Sequence, residues 1–242
     1  MDRRAALKVL ATAGVTAPAL GCVRRPTAVG QANPDSTKRD QVMSTQHEKK
    51  PASPDRMPTI FLAHGSPLLL ADRPWQSQLN MWASQLPRPK AVLMLSAHWL
   101  DKPVTLGATK PVPLVYDFYG FPEEFYKTEY PAPGAPALAD RVRALLGPGQ
   151  TVDDPTRGLD HGAYVPLVAM YPGADVPVLQ ASLPTLEPAE LLKLGQKLAP
   201  LCDEGVLIVG SGFLTHNLRR MSFDPNAPTP QWAAEFDAWT AE

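Results

Sequence analysis

An α/β fold with a mainly parallel central sheet flanked by helices, in a single domain, is what this sequence predicts, and three observations lead there. Near-continuous apolar runs of strand length occur at residues 59–63, 91–96, 176–181 and 206–209, the pattern of strands buried on both faces. Segments with helical spacing of their apolar residues alternate with these runs, as in layered α/β domains. The runs also end in histidines. His64 follows the first, His98 follows the second, and His216 comes a few residues after the last. In an open α/β sheet, ligands bind at the carboxyl ends of the strands. The sequence therefore predicts a metal site on that edge.

Taken in order, residues 1–22 read as an export signal. Arg3-Arg4 and Leu7-Lys8 precede an apolar, small-residue run over residues 9–21, the layout of a twin-arginine type leader. The run is too short, and too rich in Ala, Gly and Thr, to span a bilayer. It closes in Ala19-Leu20-Gly21-Cys22, which resembles a lipoprotein cleavage box with Cys22 as the lipidated residue. One acylated terminus tethers a protein to a membrane surface without making it span, so the expected location is periplasmic or membrane-anchored. Residues 23–57 are polar and nearly devoid of large apolar groups. Such a stretch cannot offset its ordering entropy, and it reads as a disordered linker in which His47 is solvated.

The catalytic domain is expected over residues 58–242. After the first strand, Trp75, Leu79, Trp82 and Leu86 recur at helical spacing. A short strand is expected at residues 104–106. Leu138, Val142 and Leu145 mark a helix opened by Pro136 and closed by Gly147, in keeping with the preference for Pro at helix starts and Gly after helix ends. Further helices are expected over residues 164–171 and 188–201, the latter ending before Gly205. Finally Trp232, Phe236 and Trp239 form an i, i+4, i+7 stripe with no capping glycine before Glu242. That helix reads as cut off rather than finished.

Composition narrows the function classes. A chain of 242 residues fits one domain plus a tail. Its net charge of −1, with both signs interspersed, gives no sign of a nucleic-acid partner. With 28 prolines, about twice the usual share, a loop-rich fold is favoured over a helical bundle. Cys202 is the sole cysteine of the expected domain, so no disulfide can form within it. It shares an apolar helical face with Leu198 and Leu201 and reads as a small core residue.

The chemistry rests on the histidines. Imidazole suits zinc, copper, iron and nickel, and histidines on strand ends are preorganised for a metal. His64 sits in Ala-His-Gly-Ser-Pro, where Gly65 permits a sharp turn and Pro67 stiffens the exit. His98 is followed by Trp99, a candidate wall of the pocket, and His161 lies between Asp160 and Gly162. Two glycines, Gly210 and Gly212, precede His216. Ser66 lacks the Gly-x-Ser-x-Gly frame of a nucleophile elbow, which argues against serine hydrolysis.

Longer motifs carry a family resemblance. Pro58-Thr59-Ile60-Phe61-Leu62-Ala63-His64-Gly65-Ser66-Pro67 and Ser96-Ala97-His98-Trp99 resemble the DODA-type (4,5-DOPA dioxygenase-like) extradiol aromatic ring-opening dioxygenases. So do Tyr116-Asp117-Phe118-Tyr119-Gly120-Phe121-Pro122, Tyr130-Pro131-Ala132-Pro133-Gly134, Leu159-Asp160-His161-Gly162, Met170-Tyr171-Pro172 and Thr215-His216-Asn217-Leu218. The motifs follow the family's order from Pro58 to the last residue.

The resemblance implies a mononuclear non-haem metal, Fe(II) for catalysis although members can hold Zn(II), and opening of a small DOPA-like catechol next to its two hydroxyls with O₂. His64 and His98 are then expected as metal ligands. His216 is expected at the metal as ligand or acid/base, and His161 as the catalytic histidine facing the substrate. Trp99, Tyr116 and Phe118 are expected to bind the substrate ring. Family members continue beyond the point matching Glu242 with a further histidine, and some relatives carry histidine in place of Tyr116. Two other readings use the same histidines: a zinc-dependent hydrolase with metal-bound hydroxide as nucleophile, and a catalytically impaired metal-binding protein. Oligomeric state leaves no mark in the sequence.

Overall fold

Apolar runs with no polar alternation need cover on both faces, and helices on either side of the sheet supply it. The computed structural model describes residues 56–220, 222, 224 and 226–241. The export signal with Cys22, and the linker up to residue 55 with His47, lie outside the described residues. The chain divides into one unit over residues 52–217 and another that includes residues 218–242.

In the first unit, β1 (Thr59–Ala63), β2 (Ala91–Leu100), β3 (Val104–Leu106), β4 (Thr151–Asp153), β5 (Val178–Leu183) and β6 (Val206–Gly212) form one sheet in the order β1-β6-β2-β5-β3-β4. All pairs are parallel except β3 with β5, which meet antiparallel at Leu106 and Ala181. The expected mainly parallel α/β sheet is what forms.

Helices cover both faces. The helix α1 (Arg73–Ser84) begins at Asp72, whose side chain accepts from the Trp75 N–H, while α2 (Pro136–Leu146) runs to Gly147, a residue at φ 94°. Next come α3 (His161–Met170), α4 (Pro188–Leu198) and α5 (Pro200–Asp203). Successive residues of β2 alternate between the two cores. Val92 and Met94 pack with Tyr164 and Leu167 of α3, whereas Leu93 packs with Leu138 and Val142 of α2 and Leu194 and Leu198 of α4. Nearly every residue of α3 is buried, as expected of a helix that is apolar all round.

Several boundaries differ from the sequence expectation, among them the start of α3, at His161 and not at Tyr164. The strand β2 runs on to Leu100, carrying His98 and Trp99 within it. The strand β5 starts at Val178, after Pro177, whose nitrogen has no hydrogen to donate to a ladder. Pro200 likewise separates α4 from α5 where one helix was expected. The strand β4 has only the residues Thr-Val-Asp and owes its existence to pairing with β3.

In the second unit, a 3₁₀ turn spans Leu218–Arg220 and the expected C-terminal helix, α6, spans Gln231–Thr240. The Phe236 and Trp239 rings lie with centroids 5.5 Å apart on it. Among the described residues no helix is long and apolar enough to cross a membrane.

Candidate metal centre

The parallel pairing of β1, β6 and β2 puts the ends of these strands on one edge. Ala63 pairs with Gly212, and Ser96 pairs with Ser211. His64 therefore leaves the sheet beside Ser211 and close to His98. The chain then turns at Gly65, where φ is +69°, and a side chain there would collide with Leu69. A third histidine arrives from the opposite direction. His161 is the first residue of α3, whose N-cap Asp160 accepts from the Ala163 N–H through its side chain.

One ring nitrogen each of His64, His98 and His161 lies within 4.8 Å of the other two. The ring centroids are 4.9 Å apart for His64 and His98, 5.2 Å for His64 and His161, and 4.0 Å for His98 and His161. His64 is 1% exposed, whereas His98 is the member that meets solvent.

The remaining nitrogens are tied down. The Ser211 hydroxyl donates to the Gly162 carbonyl oxygen at 2.5 Å, so it is left to accept from His64 Nδ1 at 2.9 Å. That assignment puts the proton of neutral His64 on Nδ1 and leaves a lone pair on Nε2. His64 Nε2 lies 3.0 Å from His98 Nε2. On its other side, His98 Nδ1 faces Asp117 Oδ2 at 3.4 Å. A neutral His98 has one proton for two acceptors. A divalent cation held by His64 and His98 would resolve the conflict, because His98 could then direct an Nδ1 proton at Asp117. This donor set fits a divalent metal, with oxygens facing the outer nitrogens as they do at metal-bound histidines.

His161 Nδ1 is bonded to Asp117 Oδ1 at 2.7 Å, and the same oxygen accepts from the His161 backbone N–H at 3.1 Å. Asp117 reaches this position because Val115 forms a parallel bridge with Asp160. Gly162 packs so tightly here that a Cβ would strike Ser96 Oγ and approach His98 Cδ2 to 3.1 Å.

The electrostatics favour the uncharged forms of His64 and His98. Burial first, then the neighbouring His98 and His161, lower the pKa of His64 from 6.5 to about 3. Burial and His161 also lower that of His98, against the pull of Asp117. Burial alone would raise the Asp117 carboxyl, but its bonds and charge contacts with His161 and His98 prevail and hold it below the usual carboxylate range.

A stability prediction follows for the metal-free protein. Unfolded imidazole takes its proton near pH 6.5, whereas folded His64 does so only near pH 3. The unfolded state therefore binds more protons in between, so this contribution is complete above pH 6.5 and declines as pH falls toward 3. The urea midpoint should drop between pH 7 and pH 4 by the equivalent of a few kcal/mol, about 1.4 kcal/mol per pH unit for one group. A midpoint unchanged across that window would show that His64 is not held neutral.

The other expected site residues fall in different places. His216 is exposed and outside the group of three, its ring 5.4 Å from Phe213, which itself lies 5.1 Å from His64. The Phe118 and His161 rings lie nearly perpendicular, with centroids 5.8 Å apart. Tyr116 stands further back, near Phe118 and Tyr164, with its hydroxyl donating to the Thr128 carbonyl at 2.8 Å. Trp99 is buried under the Arg157 guanidinium, 4.3 Å from the ring centroid, and not against the three imidazoles. Ser211 and Asp117 are the partners that sequence reasoning left unnamed. Asp117 lies among the aromatic residues of the Tyr116–Pro122 motif, with no sequence signal that sets it apart.

The family model described as the catalytic LigB subunit of aromatic ring-opening dioxygenase matches residues 58–242. The chain is similar to the 4,5-DOPA dioxygenase extradiol of Escherichia coli (strain K12), 41% identical over 77% of this chain and 70% of the relative. It is also similar to the protein of that name in Beta vulgaris, 46% identical over 75% of this chain and 70% of the relative. The crystal structure of an uncharacterized Escherichia coli K12 protein superposes with a TM-score of 0.64 at 37% identity, covering 77% of this chain and 72% of that one.

Proposed function

Because the chain belongs to the family of the LigB catalytic subunit of aromatic ring-opening dioxygenases, and so to the extradiol ring-cleaving dioxygenases, we propose that it opens a small DOPA-like catechol beside its two hydroxyls, consuming O₂. The observation that carries this reading is the convergence of His64, His98 and His161 within 4.8 Å. We assign His64 and His98 to a divalent metal through Nε2. Ferrous iron would supply the relay of electrons between catechol and O₂, which zinc, having no redox chemistry, does not.

The chain's own residues do the rest. His161, held by Asp117 at Nδ1, has its other nitrogen available to take a catechol proton and return it later. Phe118, its ring perpendicular to that of His161, is placed to contact the substrate ring and exclude water. His216, outside the donor group, is assigned to the substrate and not to the metal. The relatives named for DOPA support the choice of a catechol as substrate.

The test is to add ferrous iron anaerobically to the purified chain, then follow oxygen uptake with DOPA and the ring-opened product. Uptake is expected in the parent chain. His161→Ala should lower the turnover about 10²–10⁴-fold, the usual range for a lost proton carrier, and His216→Ala should lower it with metal stoichiometry unchanged. No uptake by an iron-loaded parent chain would sink the proposal, and loss of metal in His216→Ala would make His216 a ligand instead.

We further propose that the protein is exported and tethered through Cys22. The support is the Arg3-Arg4 and Ala19-Leu20-Gly21-Cys22 pattern. Failure of Cys22 to take up labelled fatty acid would remove the tether.

A further inference from the structure

We infer that Asp117 is a positioning residue, a single carboxylate that orients His161 and His98 together. The inference rests on the metal reading above for His98 and on hydrogen-bond geometry alone for His161. Asp117 Oδ1 accepts from both the backbone N–H and ring Nδ1 of His161, at 3.1 and 2.7 Å, while Oδ2 lies 3.4 Å from His98 Nδ1. A carboxylate only accepts. Neutral His161 must therefore carry its proton on Nδ1 and keep Nε2 free. On the His98 side, an acceptor at Nδ1 favours the tautomer whose Nε2 lone pair points toward His64, the form a metal requires.

Asp117 is also rigidly placed. Val115 bridges to Asp160, and its backbone N–H donates to the Leu159 carbonyl at 2.9 Å. The carboxylate thus sits two residues beyond a strand-like anchor, next to the first turn of α3. A shift of α3 would move His161 and Asp117 together. The device couples the metal side of the site to the proton-carrying side through one side chain.

A simpler role is that Asp117 only caps α3 through the His161 N–H, and the two roles separate experimentally. Asp117→Asn keeps the Oδ1 acceptor for His161 but turns a donor toward His98. Asp117→Ala removes both acceptors. The full chain is compared with the two variants by zinc affinity in chelator competition, by ¹⁵N imidazole spectra of the metal-free protein, and by thermal midpoint.

The parent chain should show His161 protonated on Nδ1. Asp117→Asn should keep that signature and a near-parental midpoint, while its zinc affinity drops about 10–100-fold, the range for losing an outer partner of a ligating histidine. Asp117→Ala should lose both the signature and the affinity. Should Asp117→Ala fail to fold, Asp117→Asn decides through its zinc affinity. Zinc affinity within about twofold of the parent in Asp117→Asn, or a parent His161 protonated on Nε2, would overturn the inference. Zinc binding and tautomers as expected, in a chain without oxygen uptake, would overturn the ring-opening proposal and leave the role of Asp117 standing.

Discussion

Replacement of His64 by Ala is expected to abolish stoichiometric binding of a divalent metal, and with it any catechol-dependent oxygen uptake. His64 is 1% exposed, is held at Nδ1 by Ser211, and directs Nε2 at His98 Nε2 from 3.0 Å. No rotation of a neighbour restores that nitrogen. Both Ser211 and Gly162 would keep their own bond, so the scaffold survives better than the site. Loss of an outer partner costs about 10–100-fold in metal affinity, and loss of a direct ligand should exceed that. Equilibrium dialysis with zinc or cobalt reads the result. One tightly bound metal per chain in His64→Ala would show that the centre is not built on this residue.

Asp160→Ala is expected to cost the most stability of any single change near the site, although the residue faces no metal. Its side chain is 0% exposed. It caps α3 by accepting from the Ala163 N–H at 3.1 Å, accepts from Gln180 Nε2 at 2.5 Å, and lies 3.5 Å from the Arg157 guanidinium. Losing the cap costs about 1 kcal/mol. Leaving the buried Gln180 amide without its acceptor adds about 1–3 kcal/mol. Together these predict a loss of about 2–4 kcal/mol, read as a lower urea midpoint. Asp160→Asn, which keeps an acceptor for Ala163, should lose less. A midpoint for Asp160→Ala within about 0.5 kcal/mol of the parent would show that water satisfies these groups.

The sheet was legible because its strands are apolar on both faces, a pattern that depends on local composition. Two of the boundary differences share one cause. Pro177 and Pro200 carry no N–H, so they ended elements that hydropathy alone would have continued. The strand β4 was invisible because Thr151-Val152-Asp153 has no strand pattern of its own and exists by pairing with β3. Trp99 shows the limit on side chains. Its position beside His98 in the chain suggested the pocket wall, yet in a strand successive side chains point to opposite faces, and Trp99 lies beneath Arg157.

The sequence by itself determined the fold class, the family and two of the histidines at the strand edge, His64 and His98, because periodicity and motif order are local properties of the chain. Tertiary structure alone decided that His161 is the third imidazole within 4.8 Å and that His216 stands outside that group. It also decided that Ser211 and Asp117 occupy the outer nitrogens. These partners lie far apart in sequence: 147 residues separate His64 from Ser211, and 44 separate Asp117 from His161. Which nitrogen carries a proton depends on what packs against it, and only strand register and the start of α3 bring those atoms together.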